Sequence, residues 1–431
     1  MFKKVIVGIS GGVDSAVSAL LLKNKGFNVT GVFMKNWDIR NETGICQTEE
    51  DYEDAQWVCK KLDIPLIEVN FVKEYWNNIF SYLTEQYENG CTPNPDILCN
   101  KYIKFDHFFN FACTNLQADA IATGHYVRTS FGSYLEHFKP DTNVSLFQAR
   151  DLGKDQTFFL CQVPQQALRY SMFPLGEYLK KDVKQIAQKA GLDKVALKRE
   201  SRGICFVGKR NFQNFISEYI PDKPGDFVDL DDGRVVGKHM GFHHWTIGQN
   251  VKIAGLPAAY YVYKKDINTN NIIVVKGTHN SALYSEFIIT ETPYWISSEP
   301  EFNSFSRLIN CDLRFQHRDP LVSCTIHKNL KDQLIIKLSQ PLRALTEGQF
   351  ITLYNGKECL GSAVISYCGP SYYSLNQEVK TDHYRGNNEI QEQIADASIF
   401  VRSSKPASNH DNDRRRKRNL RLQHSILEFL N

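Results

Sequence analysis

Eleven residues near the amino end, VIVGISGGVDS at positions 5–15, constrain this chain more than any other stretch. Positions 5–8 are an apolar run of strand length. Ser10, Gly11 and Gly12 make a tight turn. Ala16, Val17, Ala19, Leu20 and Leu21 then recur at helical spacing. A strand that feeds a glycine turn into a helix start aims several backbone amides at one spot. Free amides and the helix dipole both favour an anion there, and glycine lets the backbone come close to it.

The phosphate ligand is narrowed by what the loop lacks. No Lys follows the glycines, so the Walker pattern is missing, and G-x-G-x-x-G is missing too. SGGVDS resembles the pyrophosphate loop of enzymes that split ATP between its α and β phosphates and adenylate an acceptor. Gly8, Ile9, Ser10, Gly11, Gly12, Val13, Asp14 and Ser15 are therefore the candidate ATP loop.

Around that loop the chain alternates strand and helix. Strand-like runs cover 5–9, 29–34, 66–69 and 120–123; helix-like runs cover 16–25, 49–62, 76–89 and 104–116. The alternation predicts an α/β domain, a parallel sheet with helices on both faces, over residues 1–209. Residues 161–209 read as helical. Ligands of such sheets bind at the carboxyl ends of strands, so the loop, Met34 and Gly124 are expected to converge on one crevice. Residues 210–280 hold glycines, prolines and short strands and read as a small central domain. Residues 281–376 alternate in short strands and predict a β-barrel. Residues 377–431 turn polar, with Arg414–Arg416, Lys417 and Arg418 in a row, and read as a disordered basic tail; an RNA-contacting arm is the other reading.

The formal charge of +3 neither demands nor excludes nucleic acid. No run of 18 apolar residues occurs, so no membrane partner is expected. The 11 cysteines are odd in number, scattered and never paired as C-x-x-C, which argues against a secreted disulfide framework and a zinc ribbon. Met1-Phe2-Lys3-Lys4 runs straight into the first strand and gives no clear address.

Two cysteine strings stand out. TPNPDILCNKYIKF at 92–105 sets two prolines ahead of Cys99, with a helix beginning near the cysteine and Lys101 and Lys104 beside it. A helix start and nearby cations lower a thiol's pKa; a buried cysteine on a stiff turn is the plainer reading. SRGICFVG at 201–208 places Cys205 between Gly203 and Gly208, on accessible backbone that suits sulfur exchange.

In order along the chain, SGGVDS, TPNPDILCNKYIKF, ATGHY (122–126), GKDQTFFL (153–160) and GICFVGKRNF (203–212) resemble the tRNA-specific 2-thiouridylase family, and VFMKNWD, EYW, GQF and ECLGSAVI extend the match over residues 1–370. The resemblance implies a pyrophosphate-loop ATPase domain and an ATP- and Mg²⁺-dependent exchange of the 2-oxygen of wobble uridine U34 for sulfur. Gly8–Ser15 would hold ATP, with Met34 and Gly124 on the adenine and ribose side. Asp14 is the uncertain protein ligand of the Mg²⁺ that ATP brings. Cys205 would carry a persulfide and Cys99 would be the partner nucleophile, leaving a transient Cys99–Cys205 disulfide. Asp96 joins them as a catalytic candidate. The resemblance places Asn94, Pro95, Asp96, His125, Lys154, Asp155, Gln156, Arg314, Phe315 and Gln349 on tRNA, with Phe315 where the family has Tyr.

A persulfide-donor protein and a reductant are the implied partners. The mitochondrial branch of the family is the closer likeness, with tRNAs for Lys, Glu and Gln; a bacterial cytoplasmic member is the alternative. Arg307, Arg314, His317, Arg318 and Lys328 are expected to form a basic surface on the barrel. Rival readings are another adenylating enzyme such as a lysidine synthetase, a tRNA-binding protein without turnover, and an iron–sulfur variant ligated through Cys99 and Cys205.

Overall fold

The computed structural model describes residues 2–37, 47–198, 207, 211–253, 255–256, 258–301 and 308–379. Contacts divide the chain into Met1–Val379 and Lys380–Asn431. The second unit, which holds nearly all of the expected basic tail, lies outside the described residues, as does Cys205.

β1 (Lys4–Gly8) is buried from Val5 onward on both faces, which is why it reads as an unbroken apolar run. It pairs in parallel with β2 (Asn28–Lys35) on one side and with β4 (Ala120–Ala122) on the other; β3 (Leu66–Asn70) pairs with β2. Val5 sits between Val29 and Ala120 in this register. β5 (Val127–Thr129) and β6 (Leu146–Gln148) leave the sheet, and β7 (Ser171–Met172) returns to pair with β4. The order is β3-β2-β1-β4-β7, all parallel. It reverses direction between β1 and β4, so the crevice at their carboxyl ends is the topological switch point. Helices α1 (Val13–Asn24) and α2 (Gln47–Leu62) follow β1 and β2.

The expected helix at 104–116 begins earlier. Asn94 caps Pro95–Leu98, a wide π-turn runs Cys99–His107, and an α-helix completes Phe108–Thr114. The region 161–209 is not continuously helical: short helices at Gln165–Arg169, Lys180–Lys189 and Asp193–Ala196 surround β7.

Four strands build the central sheet: β8 (Gly225–Asp229), β9 (Val235–His239), β10 (Tyr260–Asp266) and β11 (Asn271–Lys276), ordered β10-β11-β8-β9. Phe227, Val262, Ile272 and Val274 form its separate core.

The last strands are β12 (Tyr284–Thr290), β13 (Tyr294–Trp295), β14 (Leu308–Arg314), β15 (Val322–Lys328), β16 (Leu334–Arg343), β17 (Phe350–Asn355) and β18 (Glu358–Cys368). β12-β16-β15-β14-β17-β18 pair in series and β18 pairs again with β12, which closes a barrel and removes its free edges. Ile288, Leu313, Ile326, Ile336, Ile351 and Leu353 fill it. β18 is eleven residues long and also carries β6, through Glu358↔Phe147 and Cys359↔Leu146. The β5–β6 hairpin therefore belongs to the barrel's sheet although it arises from the amino-terminal half. The strand-like runs of the sequence do not include this hairpin, because three-residue strands carry too little alternation to detect.

Candidate active site

At the end of β1 the chain turns through Ser10–Gly12 into α1. Gly11 has φ +71°, and a Cβ there would collide with the Asp51 carbonyl oxygen on α2. Only glycine meets both conditions. Ser15 stitches the turn: its hydroxyl accepts from Ser10 N at 3.1 Å and donates to Gly12 O at 3.1 Å. Gly12 is the N-cap of α1 and no side chain caps the helix, so the first-turn amides have no side-chain acceptor.

Gly124, two residues beyond β4, faces the same helix start. A Cβ there would lie 2.7 Å from Ser15 N and 2.8 Å from the Asp14 carbonyl carbon. Met34, near the end of β2, reaches to 3.1 Å from where a Gly8 Cβ would sit. The structure thus brings Gly8–Ser15, Met34 and Gly124 together at the ends of three adjacent strands, as the alternation predicts. The cradle has amides without a side-chain cap, and the Gly124 backbone approaches the helix start as closely as it does only because it lacks a Cβ, which fits a phosphate.

Asp14 is not an open carboxylate. Lys180 Nζ binds both of its oxygens, at 2.7 and 2.6 Å, and the Tyr126 hydroxyl donates to Oδ1 at 2.7 Å. A cation taking Asp14 as a direct ligand would share the carboxylate with the Lys180 ammonium and the Tyr126 hydroxyl. Sequence reasoning missed Lys180, which lies in a stretch with no motif. Tyr126 was visible as the end of ATGHY.

The Pro-rich loop ends in a tightly capped helix. Asn94 Oδ1 accepts from the amides of Asp96 at 3.2 Å and Ile97 at 3.3 Å, and Pro95 occupies the first helical position, where its missing N–H costs nothing. The helix starts four residues before Cys99, which corrects the expectation that Cys99 stands at its start. Cys99 is buried at the head of the π-turn, a helix form frequent at functional sites. Lys101 and Lys104 also point elsewhere. Lys101 Nζ donates to Gln162 Oε1 at 3.0 Å, and Lys104 Nζ to His125 Nε2 at 3.4 Å.

The Lys104 contact fixes the His125 tautomer. An ammonium can only donate, so Nε2 accepts and Nδ1 donates to Thr123 Oγ1 at 2.7 Å. His125 is buried, and desolvation, with the Lys104 charge adding to it, holds its pKa well below 6.5. Asp96 keeps solvent contact; desolvation by the surrounding chain raises its pKa and the Lys104 charge opposes the rise.

The residues expected to face tRNA separate into two groups. Asn94, Asp96 and Lys154 keep exposed or half-buried side chains. Asp155, Arg314 and Phe315 are turned inward. Arg314 Nη1 meets Asp155 Oδ2 at 2.9 Å, Thr157 Oγ1 donates to the same oxygen at 2.7 Å, and Ala149 N donates to Oδ1 at 3.0 Å. Tyr354 of the barrel closes this network on Thr157 at 2.9 Å. Gln156 Oε1 accepts from Tyr126 N at 2.9 Å, and Gln349 Nε2 donates to the Thr92 carbonyl at 2.6 Å. Gln349 thereby ties a barrel turn to the loop ahead of Asn94.

The expected basic surface on the barrel is likewise corrected. Arg314 is buried and paired, and His317 Nε2 bonds to the Asp155 carbonyl oxygen at 2.7 Å. Lys328 is paired with Glu299 at 2.8 Å and Asp332 at 2.9 Å; Arg318 is exposed, and Arg307 lies outside the described residues.

A parallel-sheet domain with a phosphate cradle at its switch point, joined to a small β domain and a closed barrel, has the form of a nucleotide-binding enzyme. Three family descriptions match in that order: a tRNA methyl transferase HUP domain over residues 3–209, a tRNA methyl transferase PRC-barrel domain over 213–276, and an aminomethyltransferase β-barrel domain over 285–365. Among curated relatives, mitochondrial tRNA-specific 2-thiouridylase 1 of Danio rerio is 45% identical over 394 residues, covering 88% of this chain and 95% of the relative. The protein of that name from Homo sapiens is 46% identical over 391 residues, covering 87% and 93%. tRNA-specific 2-thiouridylase MnmA of Staphylococcus aureus is 42% identical over 364 residues, covering 84% and 95%. The chain belongs to the tRNA-specific 2-thiouridylase family and is an enzyme of the tRNA sulfurtransferase class.

Proposed function

We propose that this enzyme replaces the 2-oxygen of the wobble uridine U34 of tRNA with sulfur, at the expense of ATP. The observation that carries the reading is the uncapped start of α1 facing Gly124, in a chain whose relatives are named for tRNA 2-thiolation. The uridine O2 attacks the α-phosphorus of ATP, and pyrophosphate leaves. The C2–O bond now has AMP as its leaving group in place of oxide. The amides of Gly11–Ser15 hold the phosphates. Mg²⁺ would neutralise the pyrophosphate charge and would be held by phosphate oxygens.

Sulfur arrives as a persulfide on Cys205, a residue outside the described segments, loaded by a sulfur-donor protein. The Cys99 thiolate attacks the inner sulfur of that persulfide. The S–S bond breaks, hydrosulfide leaves, and a Cys99–Cys205 disulfide forms. Hydrosulfide adds to C2 and AMP departs. A thiol reductant returns two electrons to the disulfide. Asp96 contacts the uracil, which must leave the anticodon stack to reach it. Asn94 and Lys154 contact the tRNA, while Asp155, Arg314, Phe315 and Gln349 hold the surfaces that do. Mitochondria are the proposed location, with the Lys, Glu and Gln tRNAs as substrates, because several of the matching relatives are mitochondrial.

The test incubates the protein with ATP, Mg²⁺, a sulfide source and unmodified tRNA bearing U34, then digests the tRNA for mass spectrometry. 2-Thiouridine is expected only with ATP. With persulfide supplied through a donor protein, Cys205→Ser should abolish product and leave tRNA binding nearly unchanged. An adenylated or lysine-bearing nucleoside in place of thiouridine would discard the sulfur chemistry and keep the ATP loop.

A further inference from the structure

A second chemical cluster lies in the central domain and belongs to none of the strings that carry the thiolation reading. Asp222 precedes β8, and His243 and His244 lie in the short 3₁₀ turn Phe242–His244 that follows β9. One ligand atom from each of the three falls within 4.8 Å of the others. Both imidazole Nε2 atoms converge on a single oxygen, Asp222 Oδ1: His244 at 2.9 Å and His243 at 3.7 Å. The Ser217 hydroxyl also donates to that oxygen, at 3.4 Å.

The independent sign of a ligand is His243. Its side chain is 3% exposed, yet Nε2 has no hydrogen-bond partner. A buried polar atom without a partner costs about 1–3 kcal/mol. Phe242 before it packs into the core of the small domain. A cavity of about 130 Å³ borders His243, with Glu88, Ile220 and Phe242 also in its wall.

We infer that Asp222, His243 and His244 form a site for a divalent transition metal, with Zn²⁺ as the ion the donor set fits. Two imidazoles and one carboxylate are a zinc-type set, in contrast to the oxygen ligands that Mg²⁺ takes. The ion replaces the proton that His244 shares with Asp222, and it satisfies His243 Nε2. Bound metal would clamp the connector after the Phe212–Ser217 helix to the turn after β9. The site is independent of the proposed thiolation.

The test uses the full chain, stripped by chelator and reduced, titrated with Co²⁺ and then Zn²⁺. One equivalent is expected to bind with the spectrum of nitrogen and oxygen ligands and no sulfur-to-cobalt charge-transfer band. Asp222→Asn, His243→Gln and His244→Gln should each weaken that equivalent at least about tenfold, the lower bound for losing even an outer-shell partner. Zn²⁺ should raise the melting temperature of the wild type and of none of the three variants. Asp222→Asn changes an exposed residue, so a failure of His243→Gln to fold would not remove the test. Absence of the equivalent, its survival in Asp222→Asn, or a thiolate spectrum would each overturn the proposal.

Discussion

The Arg314–Asp155 pair separates two readings of residues that the sequence assigns to tRNA contact. Asp155 has no exposed side-chain surface and Arg314 has 8%, so both charges are out of water. Replacing Arg314 by Met removes the cation but keeps most of the side-chain volume over the Tyr354 ring, 5.3 Å from its centroid. The carboxylate keeps three donors, Thr157 Oγ1, Thr157 N and Ala149 N, and loses its charge partner. Breaking a buried pair from one side costs about 3–5 kcal/mol. At about 2 °C per kcal/mol, an upper value for a chain of this size, Arg314→Met should lower the melting temperature by roughly 6–10 °C. The double variant Asp155→Asn/Arg314→Met removes both charges and should recover at least half of that loss. Calorimetry on the four proteins of this cycle gives the coupling, and filter binding gives tRNA affinity. Unchanged melting in Arg314→Met, together with weakened tRNA binding, would refute the internal-strut reading and restore Arg314 as a direct contact.

Gly124→Ala puts a methyl group 2.7 Å from Ser15 N, so ATP affinity should fall more than tenfold in equilibrium dialysis; unchanged affinity would remove the phosphate from the α1 start. Asp14→Ala should stop pyrophosphate release while persulfide loading on Cys205, read by mass spectrometry, survives; normal release would sink the role of this loop. His125 has a folded-state pKa well below 6.5, so the unfolded chain takes up its proton first and stability falls as pH drops through about 6.5. His125→Gln should therefore flatten the acid side of the urea-midpoint profile, and equal slopes in the two proteins would contradict the buried neutral imidazole.

The amino-terminal fold was legible because its signals are local. An apolar strand, a glycine turn and a helix start lie within fifteen residues, and parallel strands alternate with helices long enough to show their period. The barrel was legible as a class, from its short alternating strands. Its sharing of β18 with β6 was not, since that pairing joins residues some 200 apart and leaves no trace in local pattern. The capping by Asn94 and Pro95 was written in the sequence, but the helix start was placed several residues late because the prolines were read as an extended loop.

The sequence by itself determined the phosphate loop, the order of the three parts and the family, since each is carried by contiguous residues whose backbone preferences act within a few positions. Only the tertiary structure decided which charges are free. Lys180 was an ordinary lysine until folding set it on Asp14, and Arg314 was a surface cation until the barrel closed against Asp155. Whether a charged group meets water or a counter-charge depends on desolvation and on partners far away in the chain, and that information exists only once the chain has folded.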